Sequence, residues 1–359
     1  GARVCHFEWQ DDFSLAKNFS IAQATGDWIL SLDGDESISR RDHDAIRAAM
    51  HRDDTDAVLV AQRHYLPPDT VTVGWQAGSG GYEEGTPYAG FLDVDCRRLF
   101  RNRPWLRFRN RVHEELVSVD PAQPLRDTRG TWVIHHFGKL GDRDLLQAKA
   151  EAYLRIGCKK VADHPEGPQA HYEPGTQYPE LNQPAAALAC HQRALQLAPG
   201  FRDAWLRVAF CHFNLEQYGE ALAALEVSAR TLPDRVLEIA AAQGNAHRHL
   251  GDEAAAERAF TRALKACPGF PPAGVNLASM YLAQGRAADA LACIDRTIEK
   301  FPQHVHPRRM RAELRLTPHD EQGALDDLAL IGQDRAAQAL TARVLIRQRR
   351  FSDAAACLA

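Results

Sequence analysis

The chain has 359 residues, 45% of them hydrophobic and 25% charged, which is enough for two or more ordinary folded domains. Its net charge of -4 offers no basic field for nucleic acid or an anionic membrane. No apolar run is long enough to span a bilayer and no charged-then-apolar signal segment opens the chain, so a cytosolic location is the economical expectation.

In chain order, residues 11–25 predict a helix with Leu15, Phe19 and Ala22 on one face, capped by Asp12 or Ser14 and ended by Gly26. Trp28-Ile29-Leu30-Ser31-Leu32 then has the length and composition of a buried strand. Asp33-Gly34-Asp35-Glu36 follows directly. Two carboxylates one residue apart at a strand end project into the crevice where open α/β sheets bind ligands. Hard cations such as Mg²⁺ or Mn²⁺ take one or two such carboxylates together with substrate phosphates. The plain alternative is an acidic turn capping the next helix. A calcium loop does not fit, because Ile38 occupies the position that needs glycine and Asp44 that of the bidentate Glu.

A helix near 40–51 brings Ile46, Ala49 and Met50 together, and Ala57-Val58-Leu59-Val60-Ala61 reads as a second strand. The glycine- and proline-rich stretch from Pro67 to Pro87 reads as a long loop, of a length that tends to be functional. Strand-like runs return at 98–101 and 131–135. Arg107, Arg109 and Arg111 alternate along a possible strand, either as an anion-contacting stripe or as a charge-protected edge.

The runs Phe7-Glu8-Trp9-Gln10-Asp11-Asp12-Phe13-Ser14-Leu15-Ala16-Lys17-Asn18 and Gly26-Asp27-Trp28 through Glu36 resemble the inverting family 2 glycosyltransferases of the GT-A fold. Arg98-Leu99-Phe100-Arg101-Asn102, Arg111-Val112-His113-Glu114 and His135-His136-Phe137-Gly138 extend the resemblance over about residues 5–140. The closest similarity is to the bacterial subgroup with helical repeats behind the catalytic domain. The resemblance implies a nucleotide-sugar donor and a divalent cation held by Asp33, Asp35 and His136. It implies Lys17 and Asn18 near the donor and Glu114 as general base, with His113 orienting that carboxylate or packing. His135, on the other side of an alternating strand, is the weaker choice beside His136. It also implies that about 60 residues holding the base and ribose precede Gly1, by analogy with the family's layout. On that expectation the chain as given binds its donor poorly and is inactive alone.

The second half repeats. Pro199, Pro233, Pro268 and Pro302 are spaced by 34, 35 and 34 residues, and each stops a helix. Small residues keep phase: Ala187, Ala221, Ala256 and Ala290 twelve before each proline, and Ala194, Ser228, Ala263 and Thr297 five before it. Gly175, Ala209, Gly244 and Ala278 recur upstream. These residues resemble the tetratricopeptide repeat, clear at about 168–201, 202–235, 236–270 and 271–304. Beyond that the pattern degenerates, with Arg308, Arg311 and Arg315 at positions usually small or apolar, and Phe351 and Ala355 suggest a further unit, expected to be cut within its second helix. Eight cysteines include no C-x-x-C pair, and Cys190, Cys211, Cys267, Cys293 and Cys357 read as reduced core residues.

The expected architecture is therefore α/β followed by all-α. It comprises a partial GT-A, Rossmann-like nucleotide-sugar domain over 1–141, a helical linker over 142–167, and a repeat α-solenoid over 168–359. The expected activity is metal-dependent sugar transfer with inversion to a protein or glycan acceptor, with a protein partner on the concave repeat face. The rival is a non-catalytic adaptor with a vestigial front domain.

Overall fold

The computed structural model describes residues 3–66, 75–86, 88, 90–138, 143–302, 304–316, 319–332 and 334–358. A strand-rich region is followed by helical hairpins, the α/β-then-all-α order of the sequence pattern. Among the described residues no helix is long and apolar enough to cross a membrane.

The first helix forms as α1 (Phe13–Gln23), and Asp12 is its cap, accepting from the Leu15 N–H. Its buried face differs from the expected one. Leu15 and Ala22 face solvent, whereas Ser14 and Ile21 are buried. A polar fastening causes the rotation, since Asn18 anchors the helix by its side-chain amide to the backbone of Phe108.

The sheet contains β1 (Trp28–Leu30), β2 (Glu36–Ile38), β3 (Ala57–Tyr65), β4 (Trp75–Ala77), β5 (Gly90–Arg101) and β8 (Asp127–His136). A separate hairpin pairs β6 (Leu106–Arg109) with β7 (Glu115–Ser118). The strand order is β1-β5-β3-β8-β2, with β4 beside the start of β5. β5 is antiparallel to both β1 and β3, while β3 is parallel to β8. β1, β3 and β8 therefore share a direction, and their carboxyl ends lie along one edge of the sheet. The acidic turn after β1 and His136 at the end of β8 both stand on that edge.

Side-chain alternation divides the core. Val58, Val60, Leu99, Trp132 and Ile134 meet Ile46 of α2 (His43–Met50) on one face, with Ala49 and Met50 beside it. On the other, Ala57 and Phe100 pack with Ile21, Leu106, Phe108 and Leu116 from α1 and the hairpin. Three expectations change. The strand expected to be buried over 28–32 is a three-residue edge strand, with Leu30 and Leu32 39% and 41% exposed. Of the loop expected at 67–87, residues 67–74 and 87 lie outside the described residues, and the rest forms β4 and a 3-10 turn at Glu83–Gly85. The arginine stripe is not a stripe. β6 ends at Arg109, Asn110 turns with φ 78°, Arg107 donates to backbone carbonyls, and Arg111 pairs with Asp163 at 2.8 Å.

Residues 139–142 lie outside the described residues, and the linker helix follows as α3 (Arg143–Asp163). The hairpins are then α4 (Pro168–Gly175), α5 (Pro184–Leu197), α6 (Arg202–Asn214), α7 (Tyr218–Thr231), α8 (Val236–His249), α9 (Glu253–Ala266), α10 (Pro271–Ala283), α11 (Ala287–Lys300), α12 (Val305–Leu316), α13 (Glu321–Ala329), α14 (Arg335–Arg347) and α15 (Phe351–Leu358). The chain divides into two compact units between Leu215 and Glu216.

α5, α7, α9 and α11 each stop two residues before their proline. In each, the carbonyl of Ala194, Ser228, Ala263 or Thr297 accepts the closing backbone bond. Those four residues and Ala187, Ala221, Ala256 and Ala290 are completely buried. Gly244 is small because a Cβ there would stand 2.5 Å from the Phe260 ring. All eight cysteines are free, as expected, though Cys211 alone of the five helical ones is fully buried. The arginines of the degenerate unit have a structural purpose. Arg308, Arg311 and Arg315 converge from α12 on Asp327 of α13, which is 2% exposed, at 3.6, 2.8 and 3.0 Å. An ionic centre replaces the apolar one the repeat normally uses.

Candidate active site

The acidic turn is a built structure. Glu36 N–H donates to the Asp33 carbonyl at 3.1 Å, and Asp33 N–H donates to the Glu36 carboxylate at 2.8 Å. The Glu36 side chain is wholly buried, bonded to Arg98 at 2.7 Å and to Gln62. Arg98 reaches from β5 and also donates to Asp33 at 2.8 Å. Burial works against the charge of Arg98, yet Glu36 and Asp33 outweigh it and hold its pKa above the ordinary value. Asp33 shows the converse. Burial favours its neutral form, but Lys17 and Arg98 prevail and lower its pKa. Glu36 and Arg98 thus hold the turn, a role legible for neither of them in the sequence.

Lys17, on α1, stands 3.4 Å from Asp33 and forms a close ion pair with Glu114, its ammonium 5.2 Å from the centre of the Phe108 ring. Glu114 reaches this point because the chain turns sharply after β6, with left-handed φ of 78° at Asn110 and 53° at His113. Phe13 N–H donates to the Arg111 carbonyl at 2.9 Å, tying that turn to the start of α1. Asn18, expected beside the donor, gives both ends of its amide to Phe108, at 2.8 and 2.9 Å. Lys17 is the member of the pair that faces the carboxylates.

Asp35 belongs to a second pair. Its carboxylate lies 3.4 Å from His136 Nε2, and its carbonyl accepts from Phe137 N–H at 3.1 Å. His136 lies opposite Glu36 in the register of β2 and β8, and its ring meets that of His64 edge-on at 4.5 Å. Gly138 packs closely on this pair: a Cβ there would overlap the Asp35 carboxylate and stand 2.9 Å from the His136 ring. His135 points to the opposite face, fully buried, with Nδ1 2.7 Å from the Tyr65 hydroxyl. Burial lowers its pKa, with Glu84 acting in the other direction.

The four groups Asp33, Asp35, Glu114 and His136 are therefore gathered as two pairs along one region of the sheet edge. Among the described residues no group of three or more His, Cys, Asp or Glu side chains is arranged to hold a metal ion. The expected set Asp33, Asp35 and His136 does not form such a group: Asp33 pairs with Lys17 and Arg98, whereas Asp35 pairs with His136. Asp35 and His136 form a carboxylate–imidazole pair at 3.4 Å.

Comparison with known proteins matches residues 1–101 to the family described as Glycosyl transferase family 2. Residues 178–236 and 248–314 match tetratricopeptide repeat families. A TPR repeat-containing protein of Synechococcus elongatus is 36% identical over 174 residues, 46% of this chain and 38% of that protein. The SPbeta prophage-derived glycosyltransferase SunS of Bacillus subtilis is 26% identical over 162 residues, 45% of this chain and 34% of that one. Among solved structures, a thermophilic TPR protein of Thermus thermophilus is 22% identical with a TM-score of 0.41, covering 50% of this chain and 97% of its own. The chain spans little more than a third of the length of the curated relatives it matches.

Proposed function

We propose that this chain, in which a family 2 glycosyltransferase segment is joined to tetratricopeptide repeats, transfers a sugar from a nucleotide-sugar donor to an acceptor with inversion. One arrangement carries the reading: Lys17 stands between Asp33 and Glu114 at the sheet edge that also bears Asp35 and His136. Such an edge offers a cation for phosphate, a carboxylate for proton removal and a donor pair for a metal.

Asp35 and His136 would hold a divalent cation, Mg²⁺ or Mn²⁺, since a carboxylate and an imidazole side by side leave the remaining positions to a diphosphate and water. Bound there, the ion supplies Lewis-acid stabilisation of the leaving nucleoside diphosphate. Lys17 gives a point charge to a phosphate oxygen, with Asp33 and Arg98 fixing where it stands. Glu114 takes the acceptor proton as the acceptor oxygen attacks the anomeric carbon. The bond from that carbon to the diphosphate breaks on the opposite face, which inverts the configuration. In this reading the repeats bind a protein, either the acceptor or its carrier, in the cytosol.

The test uses the full-length protein, Mn²⁺ and a panel of nucleotide sugars, followed by calorimetry and by release of nucleoside diphosphate. Asp35→Ala and His136→Ala are expected to abolish release, and Glu114→Gln to slow transfer by about 10²–10⁴-fold. Unchanged turnover in the first two removes the metal assignment. No heat with any donor removes sugar transfer and favours a repeat adaptor with a vestigial front domain.

A further inference from the structure

α3, the helix that follows the sheet region, is fastened to it by charge at several points. Asp11, held at a left-handed φ of 54°, accepts from Arg155 at 3.0 Å and from Lys159 at 2.6 Å. Arg111, next to the turn that delivers Glu114, pairs with Asp163 at 2.8 Å. These contacts set the rotation of α3 about its axis, and that rotation turns Tyr153 toward the site. The Tyr153 ring stacks on Phe13 at 5.5 Å with 22° between the planes, and lies 6.4 Å from the His113 ring. Phe13 is one helical turn from Lys17, and His113 immediately precedes Glu114. The phenol oxygen has no hydrogen-bond partner among the described residues.

We propose that Tyr153 is a substrate-contacting residue of this site, and that its hydroxyl donates a hydrogen bond to the acceptor beside Glu114. The assignment rests on the sugar-transfer reading above and deepens it, by giving the acceptor side a wall that the family-matched segment does not contain. The acceptor's attacking oxygen must lie within reach of the base that removes its proton, so a donor on a ring that approaches His113, the residue before Glu114, faces the acceptor rather than the nucleotide. Burial first, then the carboxylates of Glu114, Asp33 and Asp35, push the phenol's pKa up. It therefore stays a neutral donor where an added anion would be repelled. Stacking on Phe13 restrains the ring, so less rotamer freedom is lost when the hydroxyl engages.

The experiment is Tyr153→Phe in the full-length protein, which keeps the ring and removes the hydroxyl. Initial rates are measured with Mn²⁺, the best nucleotide sugar of the panel, and methyl glycosides and serine-containing peptides as acceptors. The acceptor KM is expected to rise about tenfold, the scale of one neutral hydrogen bond, while the donor KM moves less than about twofold. A matched thermal transition shows that the fold is intact. Wild-type acceptor KM in the variant, or donor and acceptor KM rising together, overturns the assignment while leaving sugar transfer standing. A wild-type protein inert toward every nucleotide sugar overturns both, and that result is read before the variant is made.

Discussion

Lys17 is a single ammonium shared by two carboxylates on different elements, Asp33 after β1 and Glu114 after the β6 turn. Because it is only 14% exposed at the side chain, its charge is poorly replaced by water. Lys17→Met would leave two like charges facing each other and remove the cation proposed to meet the donor phosphate. Nucleoside diphosphate release is expected to fall at least about tenfold, with most of the loss in donor KM, because the lost contact is charge-assisted. Steady-state kinetics on the full-length variant checks this, and a donor KM at the wild-type value would place the phosphate elsewhere. Lys17, Asp33 and Glu114 were legible because charged residues at a strand end, on a helix and after a turn are visible in the chain itself. Glu36 and Arg98 were not legible as a pair. Glu36 reads as one more acid in an exposed turn until Gln62 and Arg98, 26 and 62 residues away, close over it. No local pattern encodes that burial. Tyr153 escaped for the same reason, since its neighbours Phe13 and His113 lie far from it in sequence.

At the scale of elements, a fixed period is easier to read than a face. The 34-residue phase locates the small positions of the hairpins, whereas the buried side of α1 departs from its apolar stripe because Asn18, a polar residue, decides it. The same small positions create a pH dependence. Gly175 of α4 leaves room for the imidazole of His191 of α5, and a Cβ at 175 would stand 2.6 Å from that ring. His191 is 1% exposed and lies against Tyr172, ring centres 5.2 Å apart. Burial, reinforced by Arg207 and opposed by the Gly175 backbone, holds its pKa down at about 4 against an ordinary 6.5. As the pH falls, the unfolded chain therefore takes up this proton before the folded one does. Stability is undiminished above about pH 6.5 and declines through the interval down to about pH 4, by a total on the order of 3 kcal/mol. Urea midpoints at pH 7, 5.5 and 4.5 should show this slope in the wild type and a flatter one in His191→Leu. Equal slopes would mean that the imidazole is already charged in the fold.

At the scale of the whole molecule, the proposed roles fall in one of the two compact units. Every residue given a catalytic or substrate-binding role lies before Leu215, and the Asp327 centre lies in the unit that starts at Glu216. The order α/β then all-α was legible because strand-length apolar runs give way to a helical period. The boundary between units was not, since the repeat phase runs through Leu215 without a break. A substitution confined to the second unit tests whether the division is energetic as well as geometric. Asp327→Ala removes the one buried carboxylate on which Arg308, Arg311 and Arg315 converge, although Asp295 and Asp320 still neutralise part of Arg311 and Arg315. Stranding buried guanidinium charge costs about 3–5 kcal/mol, with the lower end expected here because two partners remain. Neighbouring repeats stabilise one another, so the loss should spread through α12 and its neighbours within the second unit. Differential scanning calorimetry should then show one transition lowered and another in place, while nucleoside diphosphate release at 25 °C stays within about twofold of wild type. A single transition that moves as a whole, with activity lost in step, would mean that the repeats hold the transfer site together and are not a separate recognition arm.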